Sequence, residues 1–277
     1  MNKISVFGAT GAIGQRFCEL YPNDIVQMNR YDYVPSTNNI LYLIGTRDNF
    51  NIYEDVHIDV DTNLSILMNV LDYVEHHNNT TFNFVSTRFV YGSSLATPFH
   101  EYDSCNPEGF YSITKRCAEQ MLICFCNTFG IQYRIFRLTN VLNEKDTNIS
   151  TQRNALQFMI REIVNGRDIQ LHYKGEARRD FIYIDDACSA IKFCMDNSPP
   201  NQIINVSDGI PHRFLDIINK TIELSGSKSK IIHVDPVGLI KTKDAWLSIS
   251  KLLSYGFQFK FDTHSTLKRL VDFYKNE

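Results

Sequence analysis

Short apolar runs alternate with amphipathic stretches along the first half of the chain. Lys3-Ile-Ser-Val-Phe7 reads as a buried strand and Ala12–Leu20 as a helix closed by Tyr21-Pro22. Ile25-Val-Gln-Met28 and Ile40-Leu-Tyr-Leu-Ile44 have strand length. Leu64, Leu67, Leu71 and Val74 recur at three- and four-residue steps, which predicts a helix over Thr62–His77 with one apolar stripe. Phe82–Val85 is a further strand, Glu108–Phe129 a long helix and Gln132–Leu138 another strand. Strands alternating with helices imply crossover connections, hence an α/β fold with a doubly wound parallel sheet.

After Asn140 the pattern is less regular. Asn143–Asn148 is polar and reads as a loop. Helices are predicted near 151–165, 185–196, 212–225 and 264–275, with strands near 169–172, 180–184, 202–206 and 231–234. The expected organisation is a doubly wound, Rossmann-type domain over 1–140, rejoined by roughly 185–206. A smaller α/β lobe makes up most of 141–277.

Composition narrows the function. The 277 residues are 43% hydrophobic and 21% charged, which supplies a large core and argues against disorder. A net charge of −3 leaves no basic footprint for nucleic acid. No apolar run approaches the roughly 20 residues that span a bilayer. Met1–Phe7 runs straight into a strand with no signal peptide before it. The expectation is a cytoplasmic protein with neither a membrane nor a nucleic-acid partner. Seven cysteines, an odd number without a Cys-x-x-Cys, suggest buried free thiols and no metal site.

Gly8-Ala-Thr-Gly11-Ala-Ile-Gly14 follows a strand and opens a helix, the context of a dinucleotide loop. Gly8 permits the tight turn, Gly11 lets backbone approach phosphate, and Gly14 lets the helix pack closely on the strand. The helix N-terminus then offers free N–H groups to a pyrophosphate. A carboxylate for the adenosine ribose is expected near position 29, but Asn29 and Arg30 stand there. Asn29 can bond a hydroxyl. Arg30 can pair with a 2′-phosphate, stack on adenine or remain a solvated charge. This favours NADP slightly over NAD. Only about ten residues separate this strand from Ile40, too few for the usual helix and extra strand, so the adenine side is expected to be open.

Tyr111 and Lys115 are four residues apart on a predicted helix and share a face. An ammonium beside a phenol, together with an oxidised nicotinamide, favours phenolate and pulls the tyrosine pKa down. Ser86 and Thr87 place hydroxyls at the C-terminal end of a strand, where open α/β sheets bind ligands.

These residues resemble the extended short-chain dehydrogenase/reductase family in its nucleotide-sugar epimerase/dehydratase branch, over nearly the whole chain. The resemblance rests on the glycine loop, Asn63-Leu-Ser-Ile-Leu, Ser86-Thr87 before Tyr91-Gly92, and Glu101 ahead of Pro107 and Tyr111-x-x-x-Lys115. It extends through Arg137-Leu-Thr-Asn140 and Arg179-Asp-Phe-Ile-Tyr-Ile-Asp-Asp186. It implies a catalytic triad of Thr87, Tyr111 and Lys115: Tyr111 as acid/base, Lys115 on the nicotinamide ribose, Thr87 on the sugar C4 oxygen. Gly8, Gly11, Ala12, Ile13, Gly14, Asn29, Arg30, Asn63, Ser86, Leu138, Tyr111 and Lys115 make up the implied cofactor set. For Asn63, bracing its own helix is an equal alternative. Thr87, Arg88, Asn140 and Arg179 are the implied substrate contacts, and Asp180 and Asp186 brace the lobe. For Arg88 an outward or a structural role is at least an equal alternative.

Dehydratases of this family carry Asp-Glu directly after the catalytic threonine. Arg88-Phe89 stand here instead, which argues against dehydration. Two chemistries remain for an NAD(P)-dependent enzyme acting at C4 of a nucleotide-diphosphate hexose: a 4-ketoreductase, slightly favoured, and a 4-epimerase with tightly bound NAD. A reading from another class is a non-catalytic NAD(P)-binding regulatory protein. Relatives often dimerise through the helices corresponding to 62–77 and 108–129, so a homodimer stands beside a monomer. The sugar and the base are read by residues between about 141 and 178 and after 207.

Overall fold

Alternating side chains on the central strands face two helical layers. The computed structural model describes residues 3–46, 53, 55–74, 79–93, 96–146, 149–150, 154–234 and 244–277. Its first half runs β1 (Ile4–Phe7), α1 (Ala12–Leu20), β2 (Ile25–Gln27) and β3 (Asn39–Tyr42). Then come α2 (Ile58–Val60), a π-helical turn Asp61–Ser65, α3 (Ile66–Leu71), β4 (Thr81–Thr87), a 3-10 turn Arg88–Tyr91, α4 (Phe110–Phe129) and β5 (Gln132–Leu138). The second half runs β6 (Asn140–Leu142), α5 (Ala155–Val164), β7 (Ile169–His172), β8 (Arg178–Arg179), β9 (Phe181–Tyr183), α6 (Ile184–Asn197) and β10 (Gln202–Val206). It ends with β11 (His212–Arg213), α7 (Phe214–Ser225), β12 (Ile231–Val234), α8 (Ser250–Ser254) and α9 (Thr263–Tyr274).

Six strands form one parallel sheet in the order β10-β5-β4-β3-β1-β2. Ile4, Val6, Leu41, Val85, Phe136 and Ile204 point to the α1/α6 side and pack on Phe17, Ala187 and Ile191. Phe7, Ile40, Tyr42, Phe82, Phe84 and Ile135 point to the other side, onto Leu67, Val70, Leu71, Ala118 and Leu122. This two-sided burial makes the sheet doubly wound. β2 is the edge strand, because the short β2–β3 connection adds no further strand beyond it. Strand β10 pairs with β5, so residues 202–206 lie in the main sheet although α5 to α6 intervene.

A smaller lobe packs α5, α7 and α9 around Leu156, Ile160, Ile163, Ile217, Ile218, Leu267 and Leu270. Parallel strands β7 and β12 adjoin it.

Several boundaries differ from the sequence expectation. The helix expected from Thr62 begins at Ile58, passes through the π turn and ends at Leu71; residues 75–77 lie outside the described residues. Residues 147–148 and 151–153, at the ends of the expected loop and helix, also lie outside them. The helix expected at 212 starts at Phe214, because His212 and Arg213 pair antiparallel with Arg179 and Arg178. Helix α4 starts at Phe110 rather than Glu108, after an extended Gly109 whose N–H is bonded by Ser112 Oγ. All seven cysteines are free, but Cys117 and Cys124 are exposed on α4, contrary to the expectation of burial.

Candidate active site

β1 ends at Phe7, and the chain turns on Gly8 with φ +84°, the left-handed region glycine favours. Gly11 opens α1 without a side-chain cap, and no acidic residue occupies the first turn. A Cβ on Gly14 would lie 2.1 Å from the Gly8 carbonyl oxygen, so only glycine lets α1 sit this close to β1. On its other side α1 is fixed by Arg16, whose Nε and Nη2 donate to Asp185 at 2.6 and 2.8 Å. The result is an uncapped, positively polarised helix N-terminus held over the end of the sheet, which fits a dinucleotide diphosphate.

Ala12 and Ile13 form one wall of a cleft of about 260 Å³. Ser86, Thr87, Tyr111, Lys115, Leu138 and Asn140 line the rest, together with Gly45 and Thr46. The sheet itself explains the meeting: Thr87 and Leu138 are register partners at the C-terminal ends of β4 and β5. Asn29 and Arg30 do not line this cleft. They are exposed beyond the end of β2, where the Asn29 backbone N and Nδ2 donate to Asp32 Oδ2 at 3.2 and 2.8 Å. A carboxylate therefore does stand at this strand end, two residues after Arg30. The sequence reading missed it because it looked for the acid at position 29.

Thr87 caps the 3-10 turn, its Oγ1 accepting from Phe89 N at 3.3 Å. Burial pushes the Tyr111 phenol up to about 12, Asp59 adds to the rise, and the hydrogen bond with Thr87 opposes it. Lys115 is 3% exposed; its Nζ donates to the Val85 carbonyl at 2.7 Å and lies 4.2 Å from the Phe84 ring centre. Burial pushes its ammonium down to about 7, against the Glu119 carboxylate one helical turn away. The expected pull of the Lys115 ammonium on the phenol is therefore absent in this state. The ammonium is turned to Val85 and Phe84, and desolvation dominates the tyrosine.

Glu119 was not singled out from the sequence. It is fully buried and accepts from Arg137 Nε at 3.0 Å and Nη2 at 2.8 Å, with Arg116 Nη1 also at 2.8 Å. Burial raises its carboxyl, but Arg137, Ser86 and Arg116 hold it below its ordinary value. The only sequence signal was its place one turn after Lys115.

Asn63 is 1% exposed and braces the cleft. Its Oδ1 accepts from Thr46 N at 2.9 Å, and its Nδ2 donates to Thr114 Oγ1 at 2.9 Å, one residue before Lys115. Thr46 Oγ1 also bonds Asp59. The π turn that carries Asn63 is a device common at functional sites.

Arg88 points inward and is 7% exposed, so the outward alternative fails. With Arg179, Asn140, Asn154 and Phe89 it lines a second pocket of about 160 Å³, which shares Phe89, Asn140 and Asn154 with the cleft. Asp180 is fully buried and serves protein groups: Thr139 Oγ1 at 2.6 Å, Ser207, and Leu247 N at 2.8 Å. Asp186 accepts from Lys260 N and Phe261 N at 3.0 and 2.9 Å. Asn154, overlooked in the sequence, caps α5 from a left-handed conformation, φ 55°. A more enclosed apolar cavity of about 170 Å³ lies behind Phe181 and includes none of Thr87, Tyr111 and Lys115. Among the described residues no cluster of His, Cys, Asp and Glu is arranged to hold a metal, and no helix is long and apolar enough to cross a membrane.

Residues 47–207 match a family model described as the NAD dependent epimerase/dehydratase family. A putative UDP-glucose 4-epimerase of Methanocaldococcus jannaschii is 25% identical over 231 residues, 82% of this chain and 73% of that protein. The fold is similar to that of RMD from Pseudomonas aeruginosa, solved with NADPH, with a TM-score of 0.88 at 17% identity over 100% of this chain and 99% of that one. It is equally similar to the Thermotoga maritima UDP-glucose 4-epimerase solved with UDP-glucose, with a TM-score of 0.88 at 18% identity over 99% of each chain.

Proposed function

The chain belongs to the NAD dependent epimerase/dehydratase family, and from that premise we propose that it is an NAD(P)-dependent oxidoreductase acting at C4 of a nucleotide-activated hexose, working as a 4-ketoreductase. The observation that carries this reading is the meeting of Tyr111, Thr87 and Lys115 in the cleft walled by the N-terminus of α1. Burial there pushes the Tyr111 phenol up to about 12, against its hydrogen bond with Thr87.

A group with that pKa gives up a proton only as a strong base forms beside it, and the oxygen of a C4 ketone under reduction is such a base. A nicotinamide dinucleotide held in this cleft would supply the hydride. Tyr111 donates the proton to the C4 oxygen, and Thr87 orients that oxygen through its hydroxyl. Lys115, poised near neutrality, stabilises the phenolate and helps return its proton. Gly8, Gly11, Ala12, Ile13 and Gly14 would hold the dinucleotide diphosphate. Ser86, Leu138, Tyr111 and Lys115 would enclose the nicotinamide end. Asn140 and Arg179 would take the diphosphate of the sugar nucleotide; the similarly folded Thermotoga protein was solved with UDP-glucose.

Exposed Arg30 and the open edge at β2 favour exchangeable NADP, as in the Pseudomonas relative solved with NADPH. Asp32 favours a second reading, a 4-epimerase holding NAD, because a carboxylate at this strand end suits ribose hydroxyls. One experiment separates them. Purified protein is given NADPH and 4-keto-6-deoxy sugar nucleotides while absorbance at 340 nm is followed. The reductase reading expects stoichiometric loss of absorbance. Isomerisation of a nucleotide sugar by tightly bound cofactor, without net consumption, would overturn it.

A homodimer is also part of the proposal. Ile113, Cys117 and Cys124 leave an exposed apolar stripe on α4, with Phe110 at its start, and Tyr73 is exposed just after α3. Light scattering should give twice the chain mass, and Ile113→Asp should give the monomer.

A further inference from the structure

Arg88 is buried directly beside Thr87, and its Nε has no hydrogen-bond partner among the described residues. Its visible compensation is the Phe89 ring, 4.3 Å away. A buried charge without a bonded anion is costly, and a cation–π contact offsets only part of that cost. Burial and the neighbouring Arg179 push the guanidinium down to about 10, with Asp180 acting against them. Asp180 makes no ion pair with Arg88; its oxygens serve Thr139, Ser207 and Leu247. Arg179 is better served. Its Nη1 donates to the Arg178 carbonyl at 2.8 Å, and Asp244 and Asp180 both raise its proton affinity. The pocket that Arg88 lines has no carboxylate in its wall and adjoins the cleft along Phe89, Asn140 and Asn154.

The place of Arg88 selects the anion that would reach it. Consecutive Cα atoms lie about 3.8 Å apart, and Phe89 N donates to Thr87 Oγ1 at 3.3 Å, so the turn that carries Arg88 folds back over the Thr87 hydroxyl. With the sugar C4 oxygen at Thr87, the next ring atoms are C3 and C5, and C6 follows C5. The diphosphate leaves from C1, on the far side of the ring. We propose that Arg88 is a specificity-determining residue that receives a carboxylate at C6 of the sugar, which makes nucleoside-diphosphate hexuronates the preferred substrates. This rests on the nucleotide-sugar reading above and names the class of sugar. A hexose gains a carboxylate at C6 when its primary alcohol is oxidised, two bonds from C4. The guanidinium fork matches both oxygens of such a group, and Arg179 has no part in the pairing. The redox step at C4 is the same for a uronate as for a neutral hexose. Neutral and 6-deoxy sugars still enter, but they leave the buried charge unpaired. They bind more weakly and report the chemistry rather than the preference.

The test compares wild type with Arg88→Met and Arg88→Lys in the full chain. Bare UDP, CDP, GDP and dTDP are titrated by calorimetry, and the base bound most tightly carries the sugars that follow. These are the glucuronate and galacturonate of that nucleotide, each against the matching neutral hexose. Wild type should bind a hexuronate at least roughly 30-fold more tightly than its neutral partner. Arg88→Met should close that gap by lowering hexuronate affinity, with Arg88→Lys in between. The ligand-free Arg88→Met protein should melt at or above the wild-type temperature, because an unpaired buried charge has been removed. A wild type that binds hexuronate and hexose alike overturns the proposal. So does an Arg88→Met protein that weakens bare diphosphate, hexose and hexuronate by the same factor, since Arg88 would then serve the nucleotide or the fold. A lower melting temperature with the hexuronate gap intact also overturns it. If wild type binds dinucleotide but no nucleoside diphosphate and no nucleotide sugar, the nucleotide-sugar reading itself fails; hexose binding without a hexuronate preference leaves that reading standing and removes only the role of Arg88.

Discussion

Gly14→Ala is the sharpest perturbation of the cofactor end. The added methyl would lie 2.1 Å from the Gly8 carbonyl oxygen and 2.9 Å from Ala9 Cα, where ordinary contact begins at 3.4 Å. Both obstacles are backbone, so no side chain can swing away. Helix α1 would have to retreat from β1 by more than an ångström, yet the Arg16–Asp185 pair and the Cys188 Sγ contact with the Ile13 carbonyl at 3.7 Å hold its other side. Overpacking of this kind costs about 1–3 kcal/mol, which for a chain of this size lowers the melting temperature by roughly 2–10 °C. Gly11→Ala is the matched control. Its methyl would meet only Gly8 O, at 3.4 Å, and its φ of −76° suits any residue. It should cost about 1 kcal/mol or less, yet weaken dinucleotide binding at least roughly 10-fold by crowding the phosphate, a loss of about 1.4 kcal/mol. Melting curves, with NADPH and NADH titrations by fluorescence, read both variants. A Gly14→Ala protein with wild-type stability and wild-type dinucleotide affinity would refute the reasoning.

Three further outcomes follow from the same geometry. Tyr111→Phe should lower turnover roughly 10²–10⁴-fold while leaving dinucleotide affinity within a few-fold; unchanged turnover would remove Tyr111 from the chemistry and favour a non-catalytic, dinucleotide-binding protein. Lys115 has a folded pKa of about 7, below its ordinary value, so between pH 7 and the ordinary lysine range the unfolded chain binds the extra proton. Stability should therefore rise with pH across that window, until Tyr111 begins to act in the opposite sense, and urea denaturation of Lys115→Met should show a flatter dependence. Glu119→Ala leaves the Arg137 guanidinium buried without its bidentate partner and should cost about 3–5 kcal/mol; a double-mutant cycle with Arg137→Met should recover much of it, and additive costs would contradict the pairing.

The parts of the fold legible in the sequence are those where one local signal sufficed. The glycine loop needs three glycines between a strand and a helix, and Gly14 is unambiguous because any side chain collides. Helix α4 carries enough apolar periodicity to be read along its length, its start excepted, and with it the spacing of Tyr111 and Lys115. Long-range pairing was less visible. His212 and Arg213 look like the start of a helix until β8 supplies a partner. Thr46 and Asn154 reach the cleft, and Asp59 reaches Thr46, only because distant segments bring them together. The acid–base state was the least legible. The four-residue spacing implies an ammonium beside a phenol, but burial turns Lys115 to Val85 and raises Tyr111 instead. Arg88 illustrates the same limit: its sequence neighbours do not say whether it faces water or the pocket.

The central claim is that Tyr111, Thr87 and Lys115 carry out redox chemistry at a sugar C4. It is tested most directly by following the hydride itself. Protein is incubated with NADPH deuterated at the transferring position and with nucleoside-diphosphate 4-keto-6-deoxyhexoses, and the product is examined by mass spectrometry and proton NMR. The account expects deuterium at C4 of the sugar with the wild type and its loss with Tyr111→Phe. Binding of both ligands with no deuterium transfer to any nucleotide sugar would contradict it.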